Sequence, residues 1–293
     1  MKTLKLGLAL GAGGTKGAAH VGVMKVLDEA GIKVDVIAGT SIGSLYGGIV
    51  AVGRSPQELD DGIRNHPRRD VVNFFRHRLK IRHDNRLSRL FYEALAGHHI
   101  EDLSIAYAAT ASDIVERRSV TITSGPIIDA IEASIAIPVV ARPVAHQGRF
   151  LLDGGFWDAA PVDAATELGA DVIVAVELGQ PYTLPPGLRE PATWLAQRFE
   201  RTKLHRTLAG VPFTIHAAAR ELQPGRVAHV VLRPVMGRTA NSVFGMTQCL
   251  DAGIEAAKDA LPAIRALLAG ETPRSVASEY VPGSRLVTDP GLA

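Results

Sequence analysis

Cysteine is almost missing from this chain of 293 residues, and neither sign of charge dominates. The single cysteine, Cys249, excludes an intramolecular disulfide and a zinc site made of several cysteines, and it favours a reducing compartment. With 32 basic and 30 acidic residues the net charge is +2, which argues against nucleic-acid binding by the whole chain. Aromatic residues make up only 5%, but 46% hydrophobic and 21% charged residues are typical of a globular protein and exclude extensive disorder.

Long apolar runs are scarce as well. The longest uncharged stretch, residues 36–53, approaches the length of a membrane-spanning helix but contains five glycines, so it predicts a strand, a turn and a helix. Residues 1–10 have the basic start and apolar run of a secretory signal, but the run is short and continues into a glycine-rich turn. We therefore expect a first buried strand there, no transmembrane helix and a cytoplasmic protein.

Apolar runs bounded by glycine or proline alternate with helical patterns, which is typical of parallel strands joined by crossover helices. Strands are predicted at 4–10, 34–38, 105–111, 119–123, 172–176 and 227–233, with a hairpin over 143–152 that turns at residues 147–148. Helices are predicted at 15–30, 41–52, 126–135, 161–168 and 244–268, with further helical segments over 55–97 and 192–222. The sequence therefore predicts one α/β domain over residues 1–270 and a tail, 271–293, that we expect to be mobile.

Residues 39–43 have the sequence Gly-Thr-Ser-Ile-Gly, which is the pattern G-x-S-x-G between a predicted strand and a predicted helix. In that context the pattern forms a nucleophile elbow, because a serine on a sharp turn needs neighbours without Cβ atoms. The following helix also directs backbone N–H groups toward the serine. Ser41, between Gly39 and Gly43, is thus a candidate nucleophile, although the pattern also fits a tight turn without a catalytic role.

A second glycine cluster, residues 11–17, has the sequence Gly-Ala-Gly-Gly-Thr-Lys-Gly at another predicted strand–helix turn, which suits an anion. A dinucleotide would need an acidic residue at the end of the second strand, but Asp35 lies at its beginning. A P-loop would need lysine after glycine and before serine or threonine, and that order is missing. The remaining anion is the oxyanion formed when Ser41 attacks an ester carbonyl, which joins both clusters in one site.

A nucleophilic serine needs a base. His205, His216 and His229 follow Ser41 in the order of an α/β-hydrolase, but only two predicted strands precede the serine and nothing around these histidines indicates a base. The alternative is Asp153, which precedes Gly154-Gly155 at the end of a predicted strand. A carboxylate is a weak base unless burial raises its pKa, so a Ser–Asp pair works best in an apolar pocket. An ordinary aspartate in a turn is the other interpretation.

Together these residues resemble the patatin-like phospholipase family, and in particular its bacterial members. The resemblance consists of four blocks in order: residues 13–17 for the oxyanion loop, residues 39–43 for the elbow, Ala133-Ser134 with Pro138 for an Ala-Ser-x-x-x-Pro block, and Asp153-Gly154-Gly155 for the catalytic aspartate. Order and spacing match over about residues 4–180. Four blocks in order are much more specific than any one of them.

The resemblance implies a three-layer α/β/α fold with a mostly parallel central sheet and a Ser–Asp dyad without metal or cofactor. Ser41 would attack an acyl ester, Asp153 would act as general base, and water would release the fatty acid from an acyl-enzyme. The implied oxyanion donors are the amides of Gly13, Gly14 and Thr15. The residues expected to support the site are Lys16, Gly17, Gly39, Gly43, Gly154 and Gly155.

Two positions depart from the family's pattern. Lys16 stands where plant patatins have arginine, and lysine is common in bacterial relatives. Ala12 stands where many members have another glycine, which leaves open which amides face the oxyanion.

Between residues 64 and 89 lie nine Lys/Arg and three His against two Asp, with apolar residues interleaved. This composition suits an anionic lipid surface, where each cation contributes about 1 kcal/mol, and it equally suits a solvated helical cover. In the family, the region after the elbow helix often forms a cap over the acyl site. We expect a cap-like segment over residues 55–97 with peripheral membrane contact through residues 64–89.

The motifs favour a serine esterase or lipid acyl hydrolase of the phospholipase A or lysophospholipase type. An acyltransferase would share the acyl-enzyme and differ only in its acceptor, and a nucleotide-binding or regulatory module would use the glycine loop without hydrolysis. Phospholipid, lysophospholipid, neutral glyceride and short soluble esters are all compatible with these motifs, and any oligomeric state is compatible too.

Overall fold

The computed structural model describes residues 3–76, 81–82, 85–137, 141–179, 228–237, 239–240, 242–271 and 284–285. Within these ranges nine strands form one sheet. The strands are β1 Leu6–Leu10, β2 Val36–Thr40, β3 Ala106–Asp113, β4 Arg118–Ile122, β5 Val144–His146, β6 Arg149–Asp153, β7 Val172–Val176, β8 Val230–Leu232 and β9 Ser284–Arg285. The α-helices are α1 Ala18–Glu29, α2 Ile42–Ala51, α3 Pro56–Asn65, α4 Arg68–Arg76, α5 Arg86–Leu95, α6 Ile127–Ser134, α7 Val162–Glu167 and α8 Met246–Leu268.

The centre of the sheet is parallel and its margins are antiparallel. The strand order is β5-β6-β3-β2-β1-β7-β8-β9, with β4 also paired to β3. The pairs from β3 through β2, β1 and β7 to β8 are all parallel. The hairpin strands β5 and β6, together with β4 and β9, pair in the antiparallel sense. The predicted mostly parallel central sheet is confirmed.

Two hydrophobic clusters cover the two faces of the sheet. Leu8 and Leu10 of β1 belong to a large cluster with α1, α2 and α8, whereas Ala9 belongs to a smaller one with α7. This follows from the alternation of side chains along a strand. Small residues such as Ala38 and Ala175 on the α7 side allow that helix to lie close to the strands. Helices therefore lie on both faces, and the predicted three-layer fold is confirmed.

Strand β3 brings together the ends of two strands that are distant in sequence. Thr40 of β2 pairs with Thr110, and Asp153 of β6 pairs with the next residue, Ala111. Since β4 pairs along residues 109–113, it takes one edge of β3, and β2 and β6 must share the other. Because β2 runs parallel to β3 and β6 antiparallel, their carboxyl ends meet head-on along that edge.

Several helix starts differ from the predicted ones. The helix predicted from residue 15 begins with a 3-10 turn, Gly14–Gly17, before α1 starts at Ala18. The helix predicted from Ser41 begins one residue later, because Ser41 has a φ of 55° that no α-helix accommodates. The predicted hairpin is confirmed, and its two turn residues, Gln147 and Gly148, both have the positive φ of a type I′ turn.

The described residues between 55 and 97 contain three amphipathic helices, α3, α4 and α5, which we call the helical cover. Its attachment to the domain is partly ionic: the buried carboxylate of Asp60 in α3 accepts from Lys25 of α1 and from Arg64, and Arg64 also bonds Asp251 of α8 at 2.6 Å. The predicted helical segment 192–222 lies outside the described residues. So does the tail, 271–293, except for residue 271 and β9, which pairs with β8.

Candidate active site

Ser41 lies on a strained turn between β2 and α2. Its φ of 55° and ψ of −124° belong to a sparsely populated region that costs about 1–3 kcal/mol. A Cβ atom at Gly39 would lie 2.4 Å from Ser44 Cα, and one at Gly43 would lie 2.2 Å from the carbonyl oxygen of Leu10. The residues two positions before and two positions after the serine must therefore be glycine, and the predicted elbow geometry is present.

The Ser41 hydroxyl contacts a carboxylate that is 112 residues away in sequence. Ser41 Oγ donates to Asp153 Oδ2 at 2.5 Å, and Asp153 Oδ1 accepts from the Gly155 N–H at 2.8 Å. Ser41 is 5% exposed and Asp153 is fully buried. The two residues predicted to form a dyad are thus in direct contact, in a site with little water.

Burial changes the chemistry of this carboxyl group. It raises the pKa of Asp153 to about 6, although the hydrogen bonds from Ser41 and Gly155 act in the opposite direction. The group is therefore ionised at neutral pH and binds a proton more tightly than an exposed aspartate does. Such a carboxylate can accept the proton of the Ser41 hydroxyl during nucleophilic attack.

Ser134 at the end of α6 is hydrogen-bonded to the backbone of the elbow. Its Oγ accepts from the Ser41 N–H at 2.8 Å and donates to the carbonyl oxygen of Thr110 at 2.7 Å. The Ala133-Ser134 block had been noted in the sequence, but its spacing gave no sign of this contact with the serine backbone. Pro138 of the same block lies outside the described residues.

Gly154 allows the backbone after β6 to pass close to β3. A Cβ atom there would lie 2.1 Å from the carbonyl oxygen of Thr110. The neighbouring Thr40 donates through Oγ1 to the carbonyl of Asp158 at 2.9 Å, so β2 is tied to the segment after the aspartate. These contacts fix Asp153 relative to Ser41.

The first two amides of the glycine loop are bonded within the protein. Gly11 N–H donates to the carbonyl of Val176 at 3.1 Å, and Ala12 N–H donates to the carbonyl of Ala159 at 2.8 Å. The amide of Ala12 is therefore occupied and cannot face a substrate.

The next three amides of the loop differ from these two. Among the described residues, none accepts a hydrogen bond from the N–H groups of Gly13, Gly14 or Thr15. The loop also lies directly against α2, the helix that follows the elbow, since a Cβ atom at Gly17 would lie 2.4 Å from Ile42 Cγ1. Three amides without a described acceptor therefore lie on a loop that packs against the helix following Ser41.

Comparison with known proteins agrees with this arrangement. The sequence model of the Patatin family, described as patatin-like phospholipase, matches residues 8–166, which is more than half of the chain and includes Ser41 and Asp153. The chain belongs to the patatin-like phospholipase family. An uncharacterized NTE family protein of Mycobacterium tuberculosis is 34% identical over 204 residues, which are 68% of this chain and 56% of that protein.

Other matches are more partial. The lysophospholipase nte1 of Aspergillus fumigatus is 34% identical over 181 residues, which are 59% of this chain and 12% of that protein. This patatin-like chain therefore spans about half the length of its mycobacterial relative and a small part of the fungal one. Among solved structures, VipD from Legionella pneumophila matches with a TM-score of 0.46 and 13% identity over 89% of this chain and 67% of that one.

Two side chains of the glycine loop donate hydrogen bonds to distant backbone carbonyls. Lys16 Nζ donates to the carbonyl of Leu178 at 2.8 Å, and Thr15 Oγ1 donates to the carbonyl of Ala240 at 2.8 Å. Burial lowers the pKa of Lys16, an effect that neighbouring Cys249 opposes. Lys16 therefore fixes the loop to the segment after β7.

No described histidine contacts Ser41. His229 accepts from the Ile173 N–H at 3.1 Å within the sheet, and His205 and His216 lie outside the described residues. A further histidine, His20, is buried beneath the loop, where its Nε2–H donates to the Gly11 carbonyl at 2.7 Å. Burial lowers the pKa of His20 to about 4, so this ring is neutral at physiological pH and serves as a donor.

Part of the basic segment 64–89 is engaged within the protein. Arg82 bonds Glu132 and Asp129 of α6, both at 2.6 Å, and Arg64 is paired as described above. Arg68 of α4 lies over the ring of Phe244 at 5.2 Å from its centroid. These cations attach the helical cover to the domain.

The described ranges carry neither a membrane-spanning helix nor a cluster of metal-ligating residues. No helix there has both the length and the apolar character needed to cross a membrane. No group of three or more His, Cys, Asp or Glu residues there is placed to hold a metal ion.

Proposed function

We propose that this chain is a serine lipid acyl hydrolase that cleaves carboxylic ester bonds through Ser41 and Asp153. The observation that supports this most strongly is the 2.5 Å hydrogen bond from Ser41 Oγ to Asp153 Oδ2 in a buried site. A pKa of about 6 makes Asp153 a better base than an exposed carboxylate while leaving it ionised at neutral pH.

The reaction follows from these positions in two halves. In the first, Ser41 Oγ bonds to the ester carbonyl carbon while its proton moves to Asp153. Collapse of the tetrahedral intermediate breaks the bond to the leaving alcohol, which takes that proton from Asp153. In the second half, water attacks the acyl carbon and gives a proton to Asp153, the bond to Oγ breaks, and the proton returns to Ser41 as the fatty acid leaves.

The negative oxygen of both intermediates needs donors that are already in place. The N–H groups of Gly13, Gly14 and Thr15 fill this role in the proposal, because no described residue accepts from them and their loop packs beside the elbow helix. Donors oriented in a water-poor site are worth far more than donors in water, about a hundred-fold to a thousand-fold in rate for each one.

The substrate class in this proposal is a phospholipid or lysophospholipid. The fungal relatives are named lysophospholipases, and one is 34% identical to this chain over 181 residues. Those proteins are much longer than this chain. Their substrate class is therefore only a proposal for this chain, and hydrolysis of these lipids by this chain must be measured.

We extend the proposal to peripheral contact with an anionic membrane through the helical cover. Val72, Leu90 and Phe244 are exposed apolar residues on α4, α5 and the turn before α8, and the exposed fraction of Phe244 is 64%. Exposed Arg69 and Arg89 lie on the same two helices. Exposed apolar side chains and cations on the same helices suit the boundary of an anionic lipid surface.

Vesicle sedimentation tests this contact. The double variant Val72→Ser/Arg69→Gln, which changes two exposed residues of α4, should lose several-fold in binding to vesicles with anionic lipid. The control Val115→Ser changes another exposed apolar residue, on the turn after β3, and should bind like the wild type. Equal binding by the double variant and the wild type would refute the assigned surface.

Ester hydrolysis by matched variants tests the catalytic proposal. With a nitrophenyl ester and a lysophospholipid as substrates, Ser41→Ala and Asp153→Asn should each lose at least a thousand-fold in kcat/KM. The control Ser112→Ala removes a buried hydroxyl that has no hydrogen-bond partner among the described residues, and it should keep activity. Turnover that survives in Ser41→Ala refutes the serine mechanism, and products formed only with an added alcohol acceptor would indicate an acyltransferase.

A further inference from the structure

His20 is a fully buried histidine in the first turn of α1, and one of its two ring nitrogens has no described partner. Its Nε2 bonds the carbonyl oxygen of Gly11 at 2.7 Å. A carbonyl can only accept, so in the neutral ring Nε2 carries the proton and Nδ1 is a bare acceptor. Nδ1 is buried and no described residue donates to it, which is unfavourable. The contribution of this ring therefore rests on the bond that Nε2 makes.

That bond holds one side of the peptide group between Gly11 and Ala12. The carbonyl of this group accepts from His20, and its N–H donates to the carbonyl of Ala159 at 2.8 Å. Because a peptide group is planar, the two hydrogen bonds together fix its orientation. Ala159 follows Asp153 by six residues, so this peptide also ties the glycine loop to the segment after the aspartate.

The same carbonyl lies close to the nucleophile elbow. A Cβ atom at Gly43, two residues after Ser41, would lie 2.9 Å from the Gly11 oxygen. His20 and the elbow therefore both approach one carbonyl group. A rotation of that group would disturb the contact with the elbow as well as the hydrogen bond.

The loop is attached at both ends, and His20 provides an attachment at its beginning. The side chains of Thr15 and Lys16 bond backbone carbonyls at the end of the loop. The amides of residues 13–15 lie between the two attachments, and no described residue accepts from them. Their directions therefore depend on how the chain leaves the Gly11–Ala12 peptide group.

Building on the proposed hydrolase function, we propose that His20 is a positioning residue: the hydrogen bond from its Nε2–H to the Gly11 carbonyl holds the glycine loop in the orientation that the following three amides need to bind the oxyanion.

Three substitutions of His20 separate the hydrogen bond from the bulk of the ring. Leucine has a similar volume and no donor. The amide nitrogen of glutamine lies about as far along the side chain as Nε2, whereas that of asparagine reaches only the position of Nδ1. His20→Gln should therefore restore the bond to Gly11, and His20→Leu and His20→Asn should not.

Hydrolysis of a nitrophenyl ester measures the effect. Misplacing a catalytic group by about 1 Å can cost about a hundredfold in rate, so His20→Leu and His20→Asn should lose about that factor in kcat. KM should stay within about twofold, because the oxyanion forms only after the substrate has bound. His20→Gln should lie within about fivefold of the wild type.

Inhibition by a trifluoromethyl ketone distinguishes positioning from loss of folded protein. Ser41 Oγ adds to the ketone carbon, Asp153 takes the hydroxyl proton, and the ketone oxygen becomes an oxyanion, so the adduct resembles the transition state. Its Ki should rise in His20→Leu and His20→Asn by about the factor that kcat falls. A smaller folded fraction would lower the apparent kcat and leave Ki unchanged.

Met24→Leu is the matched control. Met24 is buried one helical turn after His20 on the same helix, and leucine has nearly its volume. Its kcat and Ki should match the wild type. If thermal unfolding shows that His20→Leu is poorly folded, the comparison of His20→Asn with His20→Gln decides.

The outcomes separate this proposal from the proposed function. Ser41-dependent hydrolysis with an unchanged Ki in both His20→Leu and His20→Asn would refute the role of His20 and leave the hydrolase standing. A His20→Gln protein as impaired as His20→Asn would refute it too, because the restored donor would then have no effect. Turnover that survives in Ser41→Ala would overturn the hydrolase, and the role of His20 with it.

Discussion

Replacing Asp153 by asparagine should stabilise the protein at alkaline pH and have little effect in acid. The wild-type carboxyl group is fully buried, and its pKa is raised from an ordinary 3.8 to about 6. The folded chain therefore binds this proton more tightly than the unfolded chain, and stability falls as the pH rises between these two values. The penalty is complete above about pH 6 and absent below about pH 4.

At pH 8, the raised pKa of Asp153 lowers the free energy of unfolding by about 3 kcal/mol relative to a residue that cannot ionise. Asparagine has nearly the same shape, cannot ionise, and still offers an oxygen to the Gly155 N–H. The free energy of unfolding of Asp153→Asn relative to wild type should therefore increase by about 2 kcal/mol between pH 4.5 and pH 8.

Urea denaturation at a series of pH values measures this difference. Subtracting wild type from variant removes the contributions of all other titrating groups. Ser41→Ala is the matched comparison, since it leaves the carboxylate buried and should keep the falling stability. A difference between Asp153→Asn and wild type that is constant from pH 4.5 to pH 8 would refute the buried, raised-pKa carboxylate.

Three further predictions concern the same site and its support. Below about pH 6, the kcat/KM of ester hydrolysis should fall about tenfold for each pH unit, because only ionised Asp153 accepts the serine proton. A kcat/KM that stays constant down to pH 4.5 would exclude Asp153 as the base. Gly43→Ala should destabilise by about 3 kcal/mol or more, since its Cβ would lie 2.2 Å from the Leu10 oxygen, whereas the control Gly62→Ala should not, as thermal unfolding would show. Asp60→Asn should cost about 3 kcal/mol at neutral pH. Although burial raises the pKa of Asp60, hydrogen bonds from its two cationic partners hold it below its usual value, so this cost should shrink as the pH falls through that lowered pKa; an equal cost in acid and at neutral pH would contradict this.

The sequence predicted the parts of the site that depend on local chemistry. The G-x-S-x-G pattern around Ser41 specifies its own turn, because the glycines at 39 and 43 are required by contacts a few residues away or with the adjacent strand. The hairpin before Asp153 was likewise predicted, since Gln147 and Gly148 favour the turn that joins its strands.

Contacts between distant elements could not be predicted in the same way. The head-on meeting of β2 and β6 on one edge of β3 depends on strand order, which local patterns do not contain. The hydrogen bond from the Ser41 N–H to Ser134 and the use of the Ala12 amide by Ala159 depend on that same assembly. The ion pairs of Arg82 with α6 were also hidden, because a basic helical segment has the same composition whether its cations face lipid or protein.

The site concentrates unfavourable features that the rest of the fold must offset. A strained backbone at Ser41 and a buried carboxylate at Asp153 each lower stability. They lie between two hydrophobic clusters on either face of the sheet, which supply rigidity. This combination is expected where a protein prepares a nucleophile, a base and an oxyanion site before substrate binds.

Mass spectrometry of the protein after treatment with a fluorophosphonate tests the central claim most directly. A nucleophilic Ser41 activated by Asp153 should give one adduct per chain, located on the peptide that contains Ser41. Labelling should disappear in Ser41→Ala and slow at least a hundred-fold in Asp153→Asn. An adduct on another residue, or labelling of Asp153→Asn at the wild-type rate, would contradict the Ser41–Asp153 dyad.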